Sequence, residues 1–224
     1  MAPASSASPF VQPGAERLNI SLAKLAAQFT RPAVEFSMLL ADPVYWGWGV
    51  PRGDGHSVLA LPGLGGGDAY LRPLRGWLRR IGYRSLESGL DINPGWSEEL
   101  LEELAVLVAD EFRRSRTKLT IIGHSLGGVY GYAIAALQPQ MVGHIVTLAS
   151  PLSFVRRSVP ATVAVTSLYT RRDSIVRYPA AVAREPHAHN VEVESSHIGM
   201  ATHPDVYRRL GRRLRRPAAA GDYS

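Results

Sequence analysis

Cysteine is absent from the sequence, which excludes disulfides, thiolate metal sites and a cysteine nucleophile. No apolar run reaches the length that crosses a bilayer. The opening stretch, MAPASSASPFVQPGAERLN, has neither a basic start nor an apolar core and does not read as a secretory signal. A cytoplasmic protein is therefore expected. Aromatic residues are only 8% of the chain. They are not interleaved with basic residues and no nucleic-acid module is recognisable, so no nucleic-acid partner is expected.

What is present is an ordinary globular composition. The chain has 224 residues, 46% hydrophobic and 20% charged, enough for one domain with a full core. Its formal net charge of +6 is concentrated late, in Arg208, Arg209, Arg212, Arg213, Arg215 and Arg216. Tyr207, Leu210 and Leu214 recur among them at helical spacing, which predicts an amphipathic last helix with an arginine-rich solvent face. The alternative for that face is weak contact with an anionic membrane surface.

Residues 1–17, rich in Pro, Ala and Ser, are expected to be mobile. Residues 18–216 read as a single domain, opened by a helical extension over 18–50, and 217–224 as a flexible tail. Within the extension, Leu18 to Ala41 is apolar at helical intervals. Pro32 predicts two short helical pieces, because the residue before a proline disfavours the helical region. The next stretch, DPVYWGWGVPRGDGH, is expected to be irregular. Trp46 and Trp48 there are expected to pack against the domain, with a lipid- or substrate-facing role as the alternative.

From residue 57 the pattern alternates. Apolar runs at 57–62 and 119–123 and β-type runs at 144–150, 162–170 and 189–195 read as strands, and 83–89 is the candidate for a further one. Stretches at 69–82, 97–115, 126–139 and 204–216 read as helices, the second and the last of them amphipathic. The 97–115 helix begins with Ser97, Glu98 and Glu99 and ends with Arg113 and Arg114, as the helix dipole favours. Strands alternating with helices of this length imply βαβ units and a mostly parallel sheet covered on both faces.

In such a sheet, reactive groups collect beyond the carboxyl ends of the strands. The stretch LTIIGHSLGG (119–128) puts Gly-His-Ser-Leu-Gly between a buried strand and a helix. That is the setting of a nucleophile elbow, with Ser125 as the nucleophile and small residues needed at Gly123 and Gly127. A serine needs a base, and the base an orienting carboxylate. Asp173, in RRDSIV after the 162–170 strand, and His197, in SSHIGM after the 189–195 strand, fall in the required order. His56, His144, His187 and His189 precede or begin strands, and His203 lies beside the last helix. His124 reads as a packing or hydrogen-bonding neighbour. An oxyanion needs preorganised N–H donors. The N–H of Leu126 is one candidate. Leu64, with Gly65 as second choice, is the other, in the glycine loop LPGLGGGDAYL after the first strand. That loop lacks the Gly-Lys-Ser/Thr and G-x-G-x-x-G patterns of phosphate cradles.

Together LPGLGGGD, GHSLGG, YTRRDSIV and SSHIGM resemble the α/β-hydrolase superfamily, most closely its bacterial lipase/esterase branch, over roughly residues 45–216. The resemblance implies a three-layer α/β fold around a central sheet of the eight-stranded type. It also implies the triad Ser125, Asp173 and His197, backbone donors at Leu64 and Leu126, an acyl-enzyme, and a small-molecule or lipid ester as substrate. No cofactor or metal is expected. Where many of these lipases read His-Gly before the oxyanion loop, this chain has Pro62-Gly63. The linker between the 144–150 and 162–170 strands is about a dozen residues, too short for the large cap often inserted there. Acyl transfer or thioester hydrolysis with the same triad, and a non-catalytic binding role on the same fold, are the competing expectations.

Overall fold

The computed structural model describes residues 8–12 and 30–214. In chain order it contains helix α1 (Thr30–Ala41), strand β1 (Ser57–Leu61), α2 (Arg72–Arg80), β2 (Arg84–Leu86), α3 (Glu98–Ser115) and β3 (Leu119–His124). There follow α4 (Leu126–Leu137), β4 (Val142–Leu148), β5 (Ala164–Tyr169), α5 (Tyr178–Ala181), β6 (His189–Glu192) and α6 (Pro204–Leu214). The strands form one sheet in the order β2-β1-β3-β4-β5-β6, and every pairing is parallel.

The sheet is clad on both faces, and alternate residues of each strand supply the two cores. Leu59, Leu61, Ile121, Ile145 and Val165 point to the side covered by α3 and α4, where Leu104, Val108, Val129 and Ile134 meet them. Val58, Ala60, Ile122, Val146 and Leu168 point to the other side, against Leu74 and Trp77 of α2 and Tyr207 and Leu210 of α6. Consecutive apolar residues in β1, β3 and β4 are thus the signature of strands buried from both directions. Ser97 caps α3, its hydroxyl accepting the Leu100 N–H at 3.1 Å.

Several expectations change. The described residues hold six strands rather than an eight-stranded sheet, because the described chain between α1 and Ser57 is helical or irregular and adds no strand before β1. Pro32 does not break α1. It sits in the first helical turn, where its missing N–H has no intrahelical partner to lose. The 18–29 part of that expectation lies outside the described residues, as do Arg215, Arg216 and the 217–224 tail. Within the segment expected to be mobile, residues 8–12 instead lie against the β4–β5 linker. Val11 bridges Val155, the Gln12 N–H donates to Phe154 O at 2.9 Å, and Phe10 and Val11 are buried. Trp46 and Trp48 do not pack inward: both are exposed, and the Trp46 indole N–H donates to Leu40 O. Between β4 and β5 the chain forms only a short 3-10 turn at Leu152–Phe154, so no cap is inserted there. No helix among the described residues is long and apolar enough to cross a membrane.

Candidate active site

One residue separates β3 from α4. Ser125 sits at φ 51° and ψ −121°, a conformation ordinarily left to glycine and a store of backbone strain. The turn closes because its neighbours lack side chains. A Cβ on Gly123 would collide with the backbone of Gly127 and Gly128, and one on Gly127 with the carbonyl of Leu61. Gly128 carries the same constraint against Ser150. The Ser125 N–H is anchored to Leu148 O at 2.9 Å. Among the described residues its hydroxyl makes no hydrogen bond, so the group is held in place by its backbone and left free to react.

The turn after β5 presents Asp173, and the loop after β6 presents His197. Asp173 Oδ1 accepts two backbone N–H groups, from Ile175 at 2.7 Å and Val176 at 2.8 Å. Its Oδ2 accepts from His197 Nδ1 at 2.6 Å. Both side chains are buried, so this bond is shielded from water and geometrically fixed. With Nδ1–H committed to the carboxylate, the lone pair of His197 lies on Nε2, the tautomer a general base needs.

Three residues hold the His197 loop: His124, the hydrogen-bonding neighbour expected from the elbow, and Tyr70 and Glu35, which the sequence did not single out. His124 Nε2 donates to His197 O at 2.9 Å. Burial, reinforced by the neighbouring His197, pushes the His124 pKa down to about 3, so this ring is neutral. A carbonyl can only accept, so the His124 proton is on Nε2 and Nδ1 carries a lone pair. That Nδ1 is buried and unpartnered among the described residues. The Tyr70 hydroxyl, its pKa raised by burial, donates to Ile198 O at 2.6 Å. Glu35, from α1, accepts both the N–H and the hydroxyl of Ser196, at 2.7 and 2.6 Å. Gly199 leaves room for that carboxylate, since a Cβ there would strike it.

The glycine loop after β1 lies against the elbow. A Cβ on Gly63 would stand 3.0 Å from Ser125 Cβ and 3.1 Å from His124 Nδ1. Asn93, fully buried, binds this loop on both sides. Its Nδ2 donates to Pro62 O at 2.9 Å, its N–H donates to Gly66 O at 2.7 Å, and its carbonyl accepts the Gly65 N–H at 2.9 Å. The second-choice donor, Gly65, is thereby committed elsewhere. Neither Leu64 N–H nor Leu126 N–H donates a backbone bond among the described residues, and Leu126, first in α4, has no carbonyl one turn earlier in its helix. The structure thus gathers Ser125, Leu126, Leu64, Asp173 and His197 at the carboxyl end of the sheet. His56, His144, His187 and His189 stand at its amino end.

The Esterase family model, described as "Putative esterase", matches residues 80–206. A curated protein of Variovorax paradoxus (strain S110), "Putative carbamate hydrolase RutD", is 29% identical over 160 residues, which are 64% of this chain and 59% of the relative. The chain therefore spans less than two thirds of that relative's length. Among solved structures, the Bacillus licheniformis lipase BlEst2 in mature form aligns with a TM-score of 0.55 at 13% identity, over 72% of this chain and 94% of that one. The Paleococcus ferrophilus monoacylglycerol lipase aligns with a TM-score of 0.53 at 14% identity, over 72% and 93%. At such identities the structural matches speak for the fold, and the family match, over more than half of the chain, speaks for kinship. This chain belongs to the Esterase family and, by its sheet and its strand-turn-helix elbow, to the α/β-hydrolase superfamily.

Proposed function

We propose that the protein is a serine hydrolase of carboxylic esters, acting through Ser125, His197 and Asp173. The observation that carries this reading is the buried His197–Asp173 bond of 2.6 Å beside a serine held at φ 51°. In the proposed reaction Ser125 Oγ attacks the ester carbonyl while His197 Nε2 takes its proton. Asp173 stabilises the resulting imidazolium and keeps its ring oriented. The tetrahedral oxyanion is met by the N–H groups of Leu64 and Leu126. His197 then returns the proton to the departing alcohol oxygen, leaving an acyl-enzyme on Ser125. Water, deprotonated by His197, attacks that acyl group and releases the acid. Leu64 and Ile92 are exposed on the loops braced by Asn93, and they supply apolar contact for a short acyl chain.

The relative described as a carbamate hydrolase favours a second reading, in which the same nucleophile opens a carbamate. A p-nitrophenyl butyrate assay beside a p-nitrophenyl carbamate assay separates the two. Ser125→Ala should abolish p-nitrophenyl butyrate turnover and fluorophosphonate labelling with an unchanged circular dichroism spectrum. Turnover surviving in that variant would refute the serine mechanism, and absence of labelling in the wild type would favour a binding role instead.

A further inference from the structure

The amino ends of β3, β4, β5 and β6 open onto a cavity of about 790 Å³, at the edge of the sheet opposite Ser125. Its walls carry Lys118, His144, His187, His189, Arg212 and Arg213, and no aspartate or glutamate is among the described lining residues. Asp54, which touches a lining residue, binds His56 on the Nδ1 side of the ring, while His56 Nε2 faces Thr120 Oγ1 at 3.0 Å. The histidines do not form a metal set: among the described residues no three His, Asp or Glu side chains converge as one.

The pairing of charges along α6 separates two kinds of arginine. Arg208 is paired with Asp42, and Arg209 with Asp205. One turn later, Arg212 and Arg213 face the cavity, and no ion pair engages them among the described residues. A solvent-exposed helix face kept basic for solubility would not need its free cations gathered at the mouth of a cavity. The interior agrees with this. His187 Nε2 is buried without a partner among the described residues, and His144 Nε2 reaches Thr166 Oγ1 at 2.9 Å. Burial pushes the His144 pKa down to about 4, and the charges of His56, Arg213 and His189 all act in the same direction, as expected where positive potential is uncompensated.

We propose that this cavity binds a small soluble molecule through its phosphate groups, with Arg212 and Arg213 as the principal contacts and Lys118 and the histidines lining the seat. Guanidinium pairs suit phosphate oxygens, which they engage with two parallel hydrogen bonds. A concave site of this size fits a compact phosphorylated molecule. The site is independent of the ester chemistry and does not rest on it.

The test is isothermal titration of the full-length protein with inorganic pyrophosphate at fixed ionic strength, with co-sedimentation on phosphatidylserine vesicles as a parallel arm. Saturable one-to-one binding is expected in the wild type and in Ser125→Ala. Affinity should fall at least fivefold in Arg212→Ala/Arg213→Ala, whose replaced side chains are exposed and whose folding circular dichroism verifies. Lack of saturable pyrophosphate binding by the wild type would overturn the proposal. So would a loss of less than fivefold in the double variant. Vesicle binding that depends on the two arginines, without pyrophosphate binding, would overturn it in favour of a lipid surface.

Discussion

At the carboxyl end of β3, the polar groups of the His197 loop and its supports answer one another, His124 Nδ1 excepted. Asp173 accepts two backbone N–H groups and the His197 ring. Asn93, His124, Tyr70 and Glu35 each hold a loop by its backbone. At the amino end of the same strand, Thr120 opens onto a cavity whose arginines are unpaired among the described residues. Both ends belong to one rigid sheet, so the contrast is not one of scaffold. The first end holds its groups through a network of short hydrogen bonds, which the proposed attack at a carbonyl requires. The second offers uncompensated charge, which is suited to capturing a mobile anion and of little use for orienting one.

Asp173→Asn breaks this contrast most severely. An amide can present a donor to His197 Nδ1, which favours the wrong ring tautomer. We expect kcat for p-nitrophenyl butyrate to fall by about four orders of magnitude, with KM within a few-fold, in steady-state kinetics. A loss below tenfold would mean that the locked geometry of this end is not what drives turnover.

Glu35→Gln sharpens the comparison by loosening the lock from a distance. Only one of its two oxygens remains, so one charged hydrogen bond to Ser196 is lost or reversed, a weakening of about 1.5 kcal/mol. If that is felt fully at the transition state, kcat falls about tenfold with little change in KM. A change confined to thermal stability, with kcat intact, would make Glu35 a support of the fold alone.

The smallest expected effect is on stability against pH, and it involves both ends. Buried His124 and His144 have pKa values lowered to about 3 and 4 from 6.5. Between those values and 6.5 the unfolded chain binds protons that the native state refuses, so unfolding free energy rises with pH across this window. Stability is therefore lost as pH falls below about 6.5, by up to roughly 2 kcal/mol per group at pH 5. Urea midpoints at pH 7 and pH 5 should show the drop, and His144→Asn should shrink it. An equal drop in that variant would mean that His144 is not held neutral.

How much of this was readable in advance follows from the range of the interactions. Two-sided burial of β1, β3 and β4 gave continuous apolar runs, and α3 announced itself through Ser97, its glutamates and its closing arginines. The meeting of Asp173 with His197 could be anticipated because a parallel sheet brings the ends of β5 and β6 together, whatever the intervening residues are. Glu35 could not. It lies 161 positions from Ser196, and a single carboxylate on a half-exposed helix looks like any surface glutamate. Asn93 was hidden in the same way, in an Asn-Pro-Gly turn whose backbone partners are set only by tertiary packing. The local rule applied to Pro32 failed because it judged the residue before the proline and not the position in the helix.

The Glu35–Ser196 contact also bears on where the working unit begins. The sheet begins at Ser57, so a boundary drawn there would keep Ser125, Asp173 and His197 and look self-sufficient. It would discard the carboxylate that fills the gap left by Gly199. The helix ahead of the sheet is thus a keystone added from outside the arch. A graft of this loop into another scaffold would have to carry α1 with it.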